Sequence, residues 1–315
     1  MSTLRKIVVG TRQSALALTQ TGQVVDHLRE LCREHGIECE FEIKKIVTKG
    51  DQILDVTLSK VGGKGLFVKE IEQALMDGEI DMAVHSMKDM PWDLPEGLVI
   101  GAVPLREDPR DCLITRGAAS LDELPQGAKV GTSSLRRSSQ LQNYRPDLKI
   151  ESVRGNIDSR LKKLESEGFD AIVLATAGMR RIGWVDRISA YLPPEVCLPA
   201  VGQGALCIQC RGGDEYVLEL LKHYNNEPTA LAVAAERSFL GKLNGGCQVP
   251  IGAYATINTE AGRTTITMTG MVGSPDGEQM LKDTMTGTDP GKLGSELADA
   301  LIARGAAEIL AIVRG

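Results

Sequence analysis

One strand–turn–helix pattern occurs twice in this chain, and that repetition constrains the fold more than any other feature. Val9-Gly10-Thr11 leads into a helix that Ser14 is placed to cap, and Val130-Gly131-Thr132 leads into another. A helix followed by Ile80-Asp81-Met82-Ala83-Val84 is echoed by a helix followed by Phe169-Asp170-Ala171-Ile172-Val173. Each match alone is weak, and the separations are unequal. The shared order predicts two similar α/β lobes with a cleft between them. A crossing near Pro104–Asp111 and a return at Leu198–Arg211 would join them.

The periodicities fill in the elements. Lys6–Val9 is a short β-rich run, a helix runs from Ser14 to about His35 with Gly36 as its stop, and Glu40–Val47 is the next strand. Residues 48–65, rich in Gly, Lys and Asp and without periodicity, read as a mobile loop. Phe67–Met76 is helical and Glu79–His85 is a strand, so the alternation is that of an α/β sheet. The tail is different. Pro228–Leu243 is an Ala-rich helix, followed by β-rich runs at Ile251–Ile257, Arg263–Val272 and Gln279–Met285, then a helix from Pro290 to Val313. Turn signals at Glu260-Ala-Gly262 and Ser274-Pro-Asp-Gly277 separate the strands, which predicts a small third domain with an antiparallel sheet. The 315 residues fit two or three domains at roughly 150 residues each.

Charge and composition remove several function classes. A net charge of −6 and 3% aromatic residues argue against a general nucleic-acid binder. No apolar run reaches the roughly 18 residues of a membrane span, and the N-terminus has no apolar stretch of signal-peptide length. A cytoplasmic protein is expected, with its seven cysteines as free thiols. Cys207 and Cys210 form a CxxC without a second CxxC or a nearby His. In a strand their side chains point to opposite faces, so no metal site is expected there.

Arginine placement is the strongest chemical signal. Thr132-Ser133-Ser134-Leu135-Arg136-Arg137 puts hydroxyl caps and then two cations in a first helical turn, against the helix macrodipole. Arg12 sits beside the Ser14 cap, and Arg154-Gly-Asn-Ile-Asp-Ser-Arg160 again follows a strand and enters a helix. At one turn, an Arg lying in solvent or paired with Glu is a sufficient account. At three turns in an acidic chain, anion binding at helix N-termini is the better one. In open α/β sheets ligands lie at the carboxyl ends of strands, where these turns are.

Other candidates are weaker. Val84-His85-Ser86-Met87-Lys88-Asp89-Met90-Pro91 follows a strand directly. It is a salt-bridged loop or a site where an ionised Asp89 stabilises a cationic intermediate. Lys88 has no sequence feature that would lower its pKa for Schiff-base chemistry, and His85 is expected to be packed. Gly62-Gly63-Lys64-Gly65 lacks the spacing of a phosphate loop, so a flexible lid with Lys60 and Lys64 is expected. Gly245-Gly246-Cys247-Gln248-Val249-Pro250 places a Cys after two glycines at a helix-to-strand turn. Burial is the commoner fate of Cys, but here an accessible thiol suited to covalent chemistry is expected.

Taken together, TRQSALAL (11–18), KVGGKGLFVKE (60–70), AVHSMKDMP (83–91), REDPRD (106–111), VGTSSLRRSSQL (130–141), VRGNIDSRL (153–161), LPAVGQGA (198–205) and GGCQVPIGAY (245–254) closely resemble the porphobilinogen deaminase (hydroxymethylbilane synthase) family. The resemblance implies two lobes like type II periplasmic binding proteins, at 1–104 with 200–222 and at 105–199, with the active site between them. A C-terminal cofactor-carrying domain at 223–315 completes the implied α/β architecture. It further implies a dipyrromethane cofactor joined by a thioether to Cys247, to which four porphobilinogens are added head to tail with release of ammonia. Hydrolysis then frees hydroxymethylbilane, a step of haem and porphyrin biosynthesis.

The family's roles, carried over position by position, make Asp89 the catalytic carboxylate. They make Arg12, Ser14, Lys88, Arg136, Arg137, Arg154, Arg160 and Arg181 carboxylate-binding groups, with Ser133 and Ser134 beside them. Lys88, Ser133, Ser134, Arg136 and Arg137 fall to the cofactor, Arg12, Ser14 and Arg181 to the substrate, and Arg154 and Arg160 to both. The implied partners are porphobilinogen and the growing oligopyrrole, on a monomer without metal, nucleic acid or membrane. Two other readings fit two lobes. A solute-binding module is disfavoured by the missing signal peptide and the Gly-Gly-Cys loop. An anion-responsive regulator would need a DNA-binding helix-turn-helix, and none is evident before the first strand.

Overall fold

The computed structural model describes residues 4–52, 65–246 and 249–314. In chain order its elements are β1 (Arg5–Arg12), α1 (Ala15–His35), β2 (Cys39–Ile46), α2 (Lys49–Gln52), α3 (Lys69–Met76), β3 (Met82–Ser86), β4 (Leu98–Ala102), β5 (Asp111–Thr115) and β6 (Lys129–Gly131). There follow α4 (Leu135–Tyr144), β7 (Lys149–Glu151), α5 (Ile157–Ser166), β8 (Ala171–Ala175), α6 (Thr176–Arg181), β9 (Ala190–Leu192), β10 (Leu206–Arg211), α7 (Glu215–Tyr224) and α8 (Glu227–Lys242). The C-terminal elements are β11 (Ile251–Glu260), β12 (Arg263–Gly273), β13 (Met280–Gly287), α9 (Pro290–Ile302) and α10 (Ala306–Arg314). The chain divides into two compact units, residues 1–106 with 205–230 and residues 107–204 with 231–315.

The first unit holds a five-stranded sheet in the order β2-β1-β3-β10-β4. β1 runs parallel to β2 and β3, and β10 runs antiparallel to β3 and β4. Alternation along the strands separates two cores. Ile7, Val9, Met82, Val84, Ile208 and Cys210 pack with Val24, Val25 and Leu28 of α1 and Leu220 and Leu221 of α7. Ala83 instead joins Ile71, Ala74 and Leu75 of α3. α1 begins as read from the sequence: the Ser14 Oγ accepts from Ala17 N at 3.3 Å, and Gly36 closes the helix with φ 65°.

The second unit repeats that topology, in the order β7-β6-β8-β5-β9. β6 is parallel to β7 and β8, and β5 is antiparallel to β8 and β9. The sequence echo is therefore a structural one: β6 stands where β1 does, β8 where β3 does and β5 where β10 does. The short β6 works as a strand because Val130 and Gly131 are fully covered, with Val130 in the core built on Leu113, Leu141 and Val173.

The same unit carries the three-stranded antiparallel sheet β11-β12-β13. Ala261 (φ 49°) and Gly262 (φ 76°) make the two-residue turn between β11 and β12, the left-handed pair that such hairpins require. One sheet face, with Ile266 and Met268, packs on Phe239, Leu297, Leu301 and Leu310. The other is exposed and lined with threonines, Thr267 with Thr286 at 3.1 Å and Thr269 with Thr284 at 2.8 Å. Two expectations are corrected. The last helix is broken, because the chain turns at Gly305 with φ 101°, a conformation that disfavours a side chain. Residues 49–52, expected within a loop, form the helical turn α2.

Candidate active site

In the first unit the pairing of β1 and β3 sets Val9 beside Met82 and Gly10 beside Ala83. Their carboxyl ends therefore bring Arg12–Ser14 and Ser86–Asp89 to one end of the sheet. Gln20 of α1 donates from Nε2 to Ser86 Oγ at 3.2 Å. A 3-10 turn covers Met87–Asp89. Met87, 1% exposed, anchors it, and Met87 N donates to Ala205 O at 3.0 Å. Lys88 and Asp89 are half-buried at the rim. Arg12 is not an isolated cation. Its Nε lies 3.1 Å from Asp51 Oδ1, and its guanidinium stacks 4.1 Å above the Phe67 ring. Burial would raise the Asp51 carboxyl, but hydrogen bonds from Arg12 and Thr48 and the Arg12 charge outweigh it and hold it below the ordinary range.

Directly before that turn, His85 is buried on the α3 face of the sheet. Its Nε2 lies 3.1 Å from Gln209 Oε1, and Gln209 Nε2 donates to Glu72 Oε1 at 3.0 Å. The chain of donors makes His85 the neutral Nε2–H tautomer. Burial, aided by the Arg12 charge, pulls it down to about 4. The unfolded value is about 6.5, so the unfolded state binds the extra proton first as pH falls. Stability is therefore full above about pH 6.5 and declines toward pH 4, by on the order of 3 kcal/mol. Urea unfolding at pH 7 and 4.5 should show this decline, and His85→Gln, which keeps a donor for Gln209, should flatten it.

The second unit builds a corresponding sheet end from β6, β7 and β8. β6 feeds Thr132–Arg137, β7 feeds Arg154–Arg160 and β8 feeds α6, which ends at Arg181. Ser133 Oγ donates to Val153 O at 2.7 Å and lies 2.8 Å from Ser152 Oγ, tying the first two turns together. Ser134 is the N-cap residue of α4, and its own N–H donates to Thr132 Oγ1 at 3.2 Å. Asn156 caps α5, accepting from Ser159 N at 2.8 Å. Arg160 Nε donates to Gly155 O at 2.8 Å, and Arg181 Nη2 to Gly204 O at 2.7 Å. Burial, then the charges of Arg137 and Arg154, pull Arg160 down to about 10. Three guanidiniums thus press on one another here, which is the electrostatic signature of a place that favours an anion.

Arg136 and Arg137 are both buried, and both are held by Asp111. Arg136 Nη1 lies 2.7 Å from Asp111 Oδ2 and 2.7 Å from Leu198 O. Arg137 Nη2 lies 2.7 Å from Asp111 Oδ1, and its Nη1 donates to Val173 O at 3.0 Å. The reason is register. Asp111 opens β5 opposite Ala175, the last residue of β8, so its carboxylate lies under the turn that starts α4. Burial would raise Asp111, but the two guanidiniums hold it well below the carboxylate range. Two cations on one carboxylate still leave a positive charge over. The sequence reading missed Asp111 and Asp51 as counter-ions, although Asp111 closes the REDPRD stretch. Asp111→Asn would leave two buried guanidiniums uncompensated and should destabilise this unit by about 3–5 kcal/mol. Thermal unfolding would check it, and a change within 1 kcal/mol would contradict the pairing's importance.

Cys247, Lys60 and Lys64, with most of the expected lid, lie outside the described residues. The approach to Cys247 is described. A Cβ on Gly245 would meet Leu240 Cδ1 at 2.6 Å and Ile251 Cδ1 at 2.8 Å, so this glycine lets the end of α8 close on β11. A Cβ on Gly246 would meet nothing. Among the other cysteines, Cys39 is half-buried and Cys32, Cys112, Cys197, Cys207 and Cys210 are buried. Cys210 and Cys207 occupy opposite faces of β10, as their spacing predicts. Among the described residues no cluster of His, Cys, Asp and Glu could hold a metal ion, and no helix is long and apolar enough to cross a membrane.

The two units are matched α/β sheets with arginines gathered at the carboxyl ends of their strands. Comparison with known proteins narrows the class. Residues 7–219 match the family model "Porphobilinogen deaminase, dipyromethane cofactor binding domain", and residues 230–303 match "Porphobilinogen deaminase, C-terminal domain". Porphobilinogen deaminase of Paenibacillus macerans is 63% identical over 319 residues, covering 96% of this chain and 98% of that protein. That of Brevibacillus brevis is also 63% identical, covering 97% and 96%. The chain belongs to the porphobilinogen deaminase family. It is accordingly a transferase of tetrapyrrole biosynthesis, oligomerising porphobilinogen with a dipyrromethane cofactor. Among solved structures, a nutrient-binding protein from Burkholderia cenocepacia bound to methionine superposes with a TM-score of 0.42 at 17% identity, covering 75% of this chain and 95% of that one. A periplasmic substrate-binding protein of an ABC transporter from Coxiella burnetii gives 0.43 at 14%, covering 73% and 96%.

Proposed function

We propose that the arginines at the two sheet ends bind the carboxylates of porphobilinogen and of the growing oligopyrrole, that Asp89 is the catalytic carboxylate, and that Cys247 carries the dipyrromethane. The observation that carries this reading is the gathering of Arg137, Arg154 and Arg160 at the carboxyl ends of β6 and β7, where burial first, and then the charges of Arg137 and Arg154, lower Arg160. Porphobilinogen bears an acetate and a propionate, so each unit added brings two negative charges that such a pole would neutralise. The residues fit the cofactor for the same reason: a dipyrromethane bears four such carboxylates.

Arg154, Arg160 and Arg181 are assigned to these side chains, with Ser133 and Ser134 as hydroxyl partners. Arg136 and Arg137, anchored on Asp111, add their excess charge from below. In the first unit Arg12, Ser14 and Lys88 serve the same purpose. The bound cofactor supplies a free pyrrole α-carbon as the nucleophile. Asp89 stabilises the positive charge that develops on the incoming pyrrole as ammonia leaves. Residues 223–315 are read as the cofactor-carrying domain, Lys60 and Lys64 as part of a lid, and the chain as a cytoplasmic monomer.

Arg160→Leu tests the reading. Loss of a charge-assisted hydrogen bond costs roughly 1.5–3 kcal/mol, so elongation on cofactor-loaded protein should slow roughly 10- to 100-fold. Ammonia release and the masses of the covalent intermediates would be followed, with circular dichroism to establish the fold. Normal elongation by folded Arg160→Leu protein would remove this arginine from the site.

A further inference from the structure

Two cysteines away from this chemistry are already in contact. Cys32 Sγ, near the end of α1, and Cys39 Sγ, at the start of β2, lie 3.3 Å apart. The helix end produces the approach. Gly36 adopts φ 65°, its N–H and that of Ile37 both reach Cys32 O, the latter at 2.8 Å, and the chain doubles back into β2. Cys39 then pairs with Arg5 of β1, which fixes it beside the helix. The main chain at both cysteines is thus fixed by backbone hydrogen bonds, which sets the two side chains against each other. They also differ in access. Cys32 is 6% exposed in the core beneath α1, whereas Cys39 is half-buried on the edge strand of its sheet.

We infer that Cys32 and Cys39 are a dithiol modification site, closing to a reversible intramolecular disulfide when the protein meets a low-molecular-weight disulfide. Cys39, the accessible thiol, attacks one sulfur of the reagent as its thiolate. One S–S bond breaks, a mixed disulfide forms on Cys39, and one small thiol leaves with the Cys39 proton. Cys32 Sγ then attacks Cys39 Sγ and expels the second small thiol, which takes the Cys32 proton. The two cysteines are oxidised by two electrons and the reagent is reduced by two. Burial first, then the hydrogen bond and charge of Cys39, push the Cys32 thiol up to about 12. Capping Cys39 as a mixed disulfide removes the latter two contributions, so Cys32 becomes the better nucleophile when it is needed. In a reducing compartment the pair rests as thiols, and under oxidation the closure keeps bulky adducts from persisting on Cys39.

The test is incubation of the cofactor-loaded protein with oxidised glutathione, followed by intact mass and peptide mapping. A disulfide reagent oxidises thiols without oxidising pyrroles. The wild-type protein should lose two hydrogens, yield a Cys32–Cys39 linked peptide and revert with dithiothreitol. Cys32→Ala should instead retain one glutathione on Cys39. Cys39→Ser should leave Cys32 unmodified. The proposal is overturned if wild-type protein keeps a stable glutathione on Cys39 as Cys32→Ala does, or if neither thiol reacts. It is equally overturned if Cys32 in the Cys39→Ser protein is modified as fast as Cys39 is in the wild type.

Discussion

Cys247→Ser protein is expected to emerge at the mass of its bare chain and to make no detectable tetrapyrrole. Wild-type protein, denatured, should be heavier by two deaminated porphobilinogen units. A thioether needs a thiol that a pyrrolylmethyl cation can reach, and a serine hydroxyl at neutral pH is a far weaker nucleophile. Among the other cysteines all but Cys39 are buried, and the neighbouring Gly246 has open space where a side chain would be. With no anchored primer there is nothing to extend, so the loss should be complete rather than partial. Cofactor mass retained in Cys247→Ser, or a bare wild-type chain that is active as purified, would show that the attachment lies elsewhere.

Asp89→Asn should slow each addition by a factor on the order of 10²–10³, the scale of losing one preorganised electrostatic stabiliser. Positive charge appears on the pyrrole as ammonia departs and disappears when the coupled ring loses its proton. A fixed carboxylate lowers the energy of that transient charge more than that of neutral substrate, which is the condition for faster chemistry. The 3-10 turn, pinned by buried Met87 and its bond to Ala205 O, holds Asp89 in place before substrate arrives. Asparagine keeps the size and the turn but not the charge. Asp89→Glu keeps the charge and shifts it by about one methylene, so it should retain more activity and accumulate covalent intermediates. Single-turnover elongation on protein with cofactor in place separates these outcomes. Near-normal Asp89→Asn rates would move the role to another group.

Much of this protein was legible in its sequence because the determining interactions are local. Ser14 and Gly36 bound α1, and Ala261-Gly262 turns the C-terminal hairpin, since capping and turn conformation depend on a few consecutive residues. The repeated Val-Gly-Thr turns located two sheets of one topology, because a parallel strand feeding a helix leaves the same pattern wherever it occurs. The arginines at those turns were legible for the same reason, as their places at the carboxyl ends of β6 and β7 follow from the strand–turn–helix order. Helix continuity through Gly305 was misread, as apolar periodicity carries across a turn that one residue's backbone can break.

Counter-ions were decided by tertiary structure alone. Asp111 is 25 and 26 residues from the two arginines it holds, and Asp51 is 39 residues from Arg12. Nothing local marks such partners, because strand register chooses them: β5 had to align Asp111 with Ala175 before its carboxylate could lie beneath α4. Packing likewise turned Cys32 and Cys39 from two scattered thiols into a contacting pair, and joined His85, Gln209 and Glu72 across two strands and a helix. Sequence specifies which charges a chain carries. Whether a given charge faces a ligand or a buried partner depends on distances that exist only after the sheets have assembled.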